Sequence, residues 1–382
     1  MRLTEMEAKA LLRRHGIPVP RGLAIPPGAP LPAALPDWPG LVLKAQLLEG
    51  GRGKRGLVRR VTAGELDGAR AAMEAIAGPV GFLVEEAVAI ERELYVALRV
   101  DGTAQRMEAL VSAEGGMAVE EGAPLLRLPL DPGAPDAAER LYPALRDALP
   151  PALAARLARE VVRLARLAVT EDLTLLEINP LAVTPTGLLA CDAKLVRDDA
   201  ALDRQDAAAT AGSAALEDAA LTPLERRARD RGFAFVEMPG NVAVVSAGAG
   251  LGMLLMDLLA DHGLRAACFM DNLRGGPAET TEARLEAAFD LAERDGVRAI
   301  LFYTTLASRP LAERVEALLG FLARRPPPKP VFAGFAAAHA ATRGFDAAAA
   351  RERLRAAGVV LLEEDPLALI RRMAARLEGG AA

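Results

Sequence analysis

The second half of the chain alternates short apolar runs with longer segments of helical periodicity. The apolar runs predict strands, and the periodic segments between them predict helices. The predicted strands are 241–246, 266–270, 297–303, 331–334 and 359–362, and the predicted helices are 253–262, 281–295, 311–324, 347–357 and 366–377. Strands that alternate with helices in this way indicate a parallel sheet with helices on both faces.

The first half differs, because its apolar runs are joined by short turns. The segment 175–195, LLEINPLAVTPTGLLACDAKL, predicts two strands joined by a turn at 184–187. Glu177 and Asn179 are two residues apart and share one strand face, and we expect Asp192 on the returning strand beside them. Carboxylate and amide oxygens suit Mg²⁺, which binds phosphates at the same time. The alternative is that Asn179 belongs to a simple turn and Asp192 to the surface.

A glycine-rich loop follows a strand that carries a single lysine. The strand-like run 41–46, LVLKAQ, is followed by the loop 49–56, EGGRGKRG. Such a loop lets backbone N–H groups approach phosphates closely, and Lys44 on the strand would reach the same phosphates. The spacing of a P-loop, GxxxxGK[ST], is absent. An ordinary basic hairpin tip is the alternative for the loop taken by itself.

A third segment, 82–98, predicts a strand, a short connection and another strand. Glu85 and Glu93 are placed to bracket an adenosine, with Glu85 and the nearby backbone at the base and Glu93 accepting from the ribose. Acidic residues at strand ends are common, so this segment alone favours the ordinary structural interpretation.

Taken together in their order along the chain, the three segments resemble the ATP-grasp fold and, more closely, the β subunits of succinate–CoA ligases. The resemblance begins at RLTEMEAKALLRRHGIPVPRG and continues through KAQLLEGGRGK, VEEAVAIERELY, SAEGGMAVEE, LLEINPLAVT and CDAKL, over about the first 205 residues. It implies an α/β protein with an ATP-grasp domain of two α+β lobes at 1–221. A flavodoxin-like, parallel-sheet CoA-ligase domain would follow at 222–382.

The resemblance also implies roles for particular residues. The nucleotide would be held by Lys44, Gly51, Arg52, Gly53, Glu85, the backbone of Val88, and Glu93. Asn179 and Asp192 would hold Mg²⁺, and Glu177 would contact a phosphohistidine on a partner α subunit.

By the same resemblance, a glycine turn in the second half would open a helix whose N-terminus faces that phosphohistidine, and helix N-termini bind anions. Its candidate residues are Gly248, Ala249 and Gly250. A tight turn without a ligand stays open as an alternative. So does a dinucleotide site, although Met253 stands where the third glycine of that fingerprint would be.

The acid-binding segments depart from the family pattern. Ala247 stands where the family has an asparagine, 271–278 reads DNLRGGPA, and 303–310 reads YTTLASRP without the family's glycines. Arg309, together with Arg274, is the candidate for a bidentate carboxylate clamp. Three hypotheses therefore stay open: a succinate–CoA ligase, the same chemistry on another acid such as malate, and a nucleotide-binding paralogue without catalysis.

Composition favours a cytoplasmic enzyme. The net charge of -5 argues against a nucleic-acid partner, and no apolar run or signal peptide indicates a membrane or export. Cys191 and Cys268 show neither a disulfide framework nor metal-ligand spacing. His15, His262 and His339 lie outside glycine-rich loops, so a phosphorylated histidine would come from the α subunit. We expect ATP or GTP and a small carboxylic acid as substrates and Mg²⁺ as the cofactor. CoA, the co-substrate, would bind mainly to the partner subunit.

Overall fold

The computed structural model describes residues 1–32, 34–116, 119, 122–246, 248–272, 279–305, 311–336 and 345–379. The chain forms two compact units, Met1–Ala220 and Leu221–Ala382. The predictions for Ala247, Arg274, Arg309 and His339 lie outside the described residues.

A capped helix, α1 (Glu5–Arg14), begins the first unit. Thr4 is its N-cap, and Thr4 and Glu7 form a capping box that satisfies two N–H groups at the start of the helix. Leu3 N–H donates to Leu195 O (3.0 Å), which holds the start of α1 against the sheet described below. Ala8, Leu11 and Leu12 bury the apolar face of the helix in the core.

One antiparallel sheet has the strand order β1–β4–β2–β3. Its elements are β1 (Gly22–Ile25), β2 (Leu41–Gln46), β3 (Val58–Val61) and β4 (Gly81–Glu86), with α2 (Leu66–Ala77) preceded by a 3₁₀ turn at Ala63–Glu65. Leu43 and Ala45 of β2 point into the core with Met73 of α2 and Phe82 of β4. The alternation along β2 therefore turns Lys44 to the opposite face.

A larger antiparallel sheet has the order β10–β8–β5–β6–β7, with β9 also paired to β8. Its strands are β5 (Arg92–Asp101), β6 (Arg106–Ser112), β7 (Leu126–Leu130), β8 (Leu173–Thr184), β9 (Gly187–Ala190) and β10 (Lys194–Arg197). The helices α3 (Ala137–Ala148) and α4 (Pro151–Thr170) bury their apolar faces in the same core as α1. Two 3₁₀ turns, Asp199–Arg204 and Ala208–Thr210, and α5 (Ala211–Ala220) complete the unit.

The hairpin predicted at 175–195 differs from a simple pair of strands. β8 is long, and its return is split: β9 pairs with Leu181–Thr184, and β10 pairs with residues from Leu173 to Glu177. The break between β9 and β10 holds Cys191 and Asp192, opposite Asn179–Pro180 of β8. The proline has no N–H to donate to a partner strand, which explains why the pairing breaks at this point.

The second unit contains the expected parallel sheet, in the order β12–β14–β15–β16. Its elements are α6 (Pro223–Asp230), β11 (Phe233–Glu237), β12 (Val242–Ser246), α7 (Ala249–Asp261), β13 (Cys268–Asn272), α8 (Glu279–Ala292), β14 (Ala299–Thr305), α9 (Leu311–Arg324), β15 (Val331–Ala336), α10 (Ala347–Ala356), β16 (Leu361–Glu363) and α11 (Pro366–Gly379). The prediction of a helix at 311–324 is confirmed, and α7 begins four residues earlier than predicted, at Ala249 rather than Met253.

We expected residues 266–270 to form a strand of the parallel sheet; Ala266 forms a parallel bridge with Val242, but the strand itself is placed differently. It runs over Cys268–Asn272 and pairs antiparallel with β11, which we did not predict. Phe233 and Phe235 alternate on β11 and are buried in the core, so this short strand pairs with β13 while burying its aromatic face. Within the described part of the chain, no helix has the length and apolar character needed to cross a membrane.

Candidate functional site

A cavity of about 440 Å³ lies in the first unit. Its walls come from α1, β2, the glycine-rich loop, β4, β8 and the break between β9 and β10. The cavity brings together nine of the predicted residues: Lys44, Gly51, Arg52, Gly53, Glu85, Val88, Glu177, Asn179 and Asp192. Segments far apart in sequence therefore meet around one space large enough for a small ligand.

Lys44 enters the cavity from β2 and is buried. Its Nζ lies 2.7 Å from Glu5 Oε1 and 2.8 Å from Glu85 Oε2, and it donates to Cys191 O at 2.6 Å. Burial lowers the pKa of Lys44, but the charges of Glu5, Glu85 and Asp192 outweigh it, so the pKa is raised. Lys44 therefore stays a cation, as a phosphate-binding lysine must.

Glu5, at the start of α1, lies between three cations. It forms ion pairs with Lys9 and Lys44 at 2.7 Å each, and its Oε2 lies 2.7 Å from Arg52 Nη2. Burial by itself would raise the pKa of Glu5, but Lys44, Lys9 and Arg52 hold it well below its usual range. Glu5 is thus a permanent carboxylate in the wall of the cavity.

Arg52 ties the glycine-rich loop to the predicted metal ligand. Its Nη2 donates to both carboxylate oxygens of Asp192, at 2.8 and 3.0 Å, and its Nη1 donates to Ala45 O at 3.1 Å. The guanidinium is buried, whereas the Asp192 side chain is 34% exposed. A carboxylate bound by a guanidinium on one side and open to the cavity on the other can still receive a cation.

The glycines of the loop leave room for a ligand. A Cβ at Gly50, Gly51 or Gly53 would meet no atom within 4 Å, so packing within the chain does not require glycine there. Gly51 has φ +72°, a conformation that favours glycine. Close approach of a phosphate to the backbone is a reason for glycine at these positions that internal packing does not supply.

Glu177 and Asn179 line the cavity from β8. Asn179 exchanges two hydrogen bonds with the backbone of one residue: Gly116 N–H donates to Asn179 Oδ1 (2.6 Å), and Asn179 Nδ2 donates to Gly116 O (3.0 Å). Glu177 is half-buried, and its charge adds to burial in raising the pKa of Tyr95 to about 12. The β8 face therefore offers the cavity a carboxylate and a firmly held amide.

Glu93 does not belong to the residues that line the cavity. It is exposed on β5, where its backbone carbonyl accepts from Gly115 N–H (2.9 Å) and its side chain packs against Gly116, itself a lining residue. Glu85, expected near the adenine base, instead has both carboxylate oxygens bound to Lys9 Nζ, at 2.6 and 2.7 Å. The contacts of both residues with an adenosine stay predictions.

Asn179 and Asp192 offer Mg²⁺ one amide oxygen and one carboxylate. Across the described ranges, no group of three or more His, Cys, Asp or Glu side chains is placed to hold a metal ion. Mg²⁺ is commonly bound by one or two carboxylates while water and nucleotide phosphates fill its other positions. One carboxylate and one amide oxygen at a phosphate-sized cavity match that mode and do not make a metal site by themselves.

The predicted anion site of the second unit lies at the start of α7. Gly248 is the N-cap, and Ala249 and Gly250 form the first turn of the helix. A Cβ at Gly248 or Gly250 would meet no atom within 4 Å. The helix thus begins inside the predicted turn, at Ala249, and its contact with a phosphohistidine stays a prediction.

Glu5 and Lys9 belong to the group of buried charges around Lys44 and Arg52, and we did not predict them from the sequence. They are four residues apart on α1 and are both buried. A signal was present, because positions 5 and 9 fall on the same side of a helix as the apolar residues Ala8 and Leu12. Charged residues on the apolar side of an amphipathic helix indicate a buried ionic contact.

The fold and the site define a class of protein. The ATP-grasp domain family matches residues 2–183. ATP citrate lyase from Methanothrix soehngenii, in a complex with citrate and coenzyme A, has a similar fold with a TM-score of 0.68, 17% identity and coverage of 99% of each chain. The chain thus consists of an ATP-grasp domain followed by a parallel-sheet α/β domain, as expected.

Curated relatives identify the family. A succinate–CoA ligase [ADP-forming] β subunit from Thioalkalivibrio sulfidiphilus is 41% identical over 325 residues, which cover 78% of this chain and 81% of the relative. One from Ignicoccus hospitalis is 32% identical over 350 residues, which cover 87% and 90%. The chain belongs to the family of succinate–CoA ligase [ADP-forming] β subunits, and its activity is that of an ADP-forming acid–thiol ligase.

Proposed function

We propose that this chain is the nucleotide-binding β subunit of a heteromeric, ADP-forming carboxylate–CoA ligase that acts on succinate or a related acid. One observation carries the proposal. Lys44, Arg52 and the glycine-rich loop converge on the same cavity as Glu177, Asn179 and Asp192. Cations and free backbone space on one wall, with oxygen ligands on the other, are what a metal-bound nucleoside triphosphate requires.

The phosphates would enter between the loop and β8. Lys44 and Arg52 are the buried cations that line the cavity, and in the structure both are held by carboxylates. On nucleotide binding, each would exchange part of these contacts for phosphate oxygens, which are also anions. Asn179 and Asp192 would hold Mg²⁺, which when bound supplies positive charge that offsets the charge on the transferred phosphoryl group.

Glu177 would orient the acceptor of the phosphoryl group. Its carboxylate is half-buried in the cavity wall, where it can accept a hydrogen bond from one nitrogen of an imidazole. The other nitrogen is then directed at the γ-phosphate, as in a nucleophile held by an adjacent base. The γ-phosphoryl group would pass to a histidine of the α subunit, and ADP would leave.

The remaining steps would belong to the complex. The phosphoryl group passes from the histidine to the carboxylic acid, and the CoA thiol attacks the acyl phosphate and releases phosphate. The start of α7, with Gly248, Ala249 and Gly250, would receive the phosphohistidine between the two transfers through its free N–H groups. Arg274 and Arg309 stay the candidates for the clamp on the acid.

Phosphorylation of the α subunit tests this proposal. The chain is mixed with its candidate α subunit and γ-labelled Mg-ATP, and label on the α subunit is measured with and without CoA and acid. We expect label that depends on this chain and is lost on adding CoA together with one acid. Nucleotide binding without any label would instead favour the non-catalytic paralogue, and turnover with malate but not succinate would favour the other-acid alternative.

A further inference from the structure

Lys9 is a buried cation outside the nine predicted residues that line the cavity. It lies on α1, its exposed fraction is 2%, and it is not among the residues that line the cavity. Its Nζ contacts both oxygens of Glu85 (2.6 and 2.7 Å), Glu5 Oε1 (2.7 Å) and Cys191 O (2.7 Å). A buried ammonium can donate three hydrogen bonds, and Lys9 uses that capacity entirely within the protein.

Lys44 contacts the same three groups. Its Nζ contacts Glu5 Oε1, Glu85 Oε2 and Cys191 O at 2.7, 2.8 and 2.6 Å. Unlike Lys9, Lys44 lines the cavity. Two ammonium groups thus serve one set of acceptors, and only the one that lines the cavity is within reach of a ligand.

This arrangement matters because the cluster is electrically balanced. Glu5, Glu85 and Asp192 face Lys9, Lys44 and Arg52, so three negative charges meet three positive charges. A buried carboxylate that loses its cation is strongly destabilising. If Lys44 were the only lysine on Glu5 and Glu85, turning to a phosphate would leave Glu85 without a lysine partner and would leave Glu5 to Arg52 alone.

The geometry points to Lys9 as a positioning residue for nucleotide binding: it holds Glu5, Glu85 and the Cys191 carbonyl so that Lys44 is released to the phosphates. This inference rests on the proposed function, since it requires a polyphosphate in the cavity. Lys9 touches no ligand itself and acts through Lys44. Removing the charge of Lys9 should weaken nucleotide binding, because a cluster with a net negative charge both retains Lys44 and repels phosphate.

A set of charge variants tests this inference by calorimetric titration of the full chain with Mg-ATP. Lys9→Met keeps an unbranched side chain of similar length and removes its charge. We expect a Kd about tenfold higher, because one positive charge is lost near a polyphosphate at an intermediate dielectric constant. Lys9→Met combined with Glu5→Gln restores the balance, and its Kd should return to within about threefold of the unmodified chain. Arg14→Met removes a positive charge from the exposed end of the same helix and should leave the Kd unchanged.

The outcomes separate charge balance from folding. Thermal unfolding shows whether each variant is folded, and a folded double variant that binds as weakly as Lys9→Met would overturn the inference. If Lys9→Met does not fold, the Glu5→Gln variant tests the inference by itself. Its excess positive charge should lower the Kd for Mg-ATP several-fold, and an equal or higher Kd would contradict the inference. Equal Kd values for Lys9→Met and the unmodified chain overturn the inference alone, whereas no binding by the unmodified chain overturns the proposed function as well.

Discussion

Replacing Arg52 by methionine tests whether the cluster holds the glycine-rich loop in place. Arg52 makes two hydrogen bonds to Asp192, one to Ala45 O, and an ion pair with Glu5. Removing one partner of a buried ion pair costs about 3–5 kcal/mol. The lower end applies, because Glu5 keeps two lysines and Asp192 is one-third exposed. We therefore expect about 3 kcal/mol.

Calorimetry of the full chain measures this loss. For a unit of this size, about 3 kcal/mol corresponds to a midpoint lowered by roughly 6–12 °C in the transition of the first unit. Arg140→Met is the matched control, because the Arg140 side chain also pairs with a carboxylate, that of Asp136, but the two side chains are 69% and 41% exposed. Such a pair contributes at most about 1 kcal/mol. Equal shifts for the two variants would refute the reasoning.

The same variant tests the place of Asp192 in metal binding. Without Arg52, the cluster has one excess negative charge and Asp192 is open to a cation. A ligand that binds only the folded state stabilises it by mass action. Millimolar Mg²⁺ without nucleotide should therefore raise the unfolding midpoint of Arg52→Met more than that of the unmodified chain. Identical shifts would contradict a cation position at Asp192.

Three further predictions concern the cavity. Glu177→Gln should bind Mg-ATP within about threefold of the unmodified chain but slow ADP release with the α subunit about a hundredfold or more, and unchanged release would remove Glu177 from the mechanism. Gly116→Ala should weaken nucleotide binding several-fold, because φ is +65° and the added Cβ would overlap Glu93 Oε2 beside Asn179; an unaltered Kd in a titration would count against this. Burial raises the pKa of Cys191 to about 11, so its thiol stays protonated at neutral pH, and iodoacetamide labelling followed by mass spectrometry should accelerate about tenfold per unit from about pH 8 to about pH 10; a rate that levels off above about pH 9 would be evidence of an unshifted thiol.

Local sequence patterns predicted the walls of the cavity well. The strand that carries Lys44, the glycine-rich loop and the β8 segment with Glu177 and Asn179 are each defined by neighbours in sequence. Strand alternation then fixes which side chains share a face, so the grouping of Glu177 and Asn179 in one cavity followed without tertiary information.

The contacts inside the cavity did not follow from local patterns. The meeting of Glu5 and Lys9 with Lys44 joins α1 to β2, and the bond from Arg52 to Asp192 joins segments 140 residues apart. Pairing direction was also beyond a local pattern, because the run that became β13 has the same apolar character whether its neighbour is parallel or antiparallel. Long-range partners decide such features.

The central claim is that this chain supplies the nucleotide site of a carboxylate–CoA ligase. ADP release tests it most directly, with the chain, its candidate α subunit, Mg-ATP, CoA and a panel of di- and tricarboxylates. We expect release that requires both CoA and one acid of the panel. Tight ATP binding with no release for any acid would contradict it.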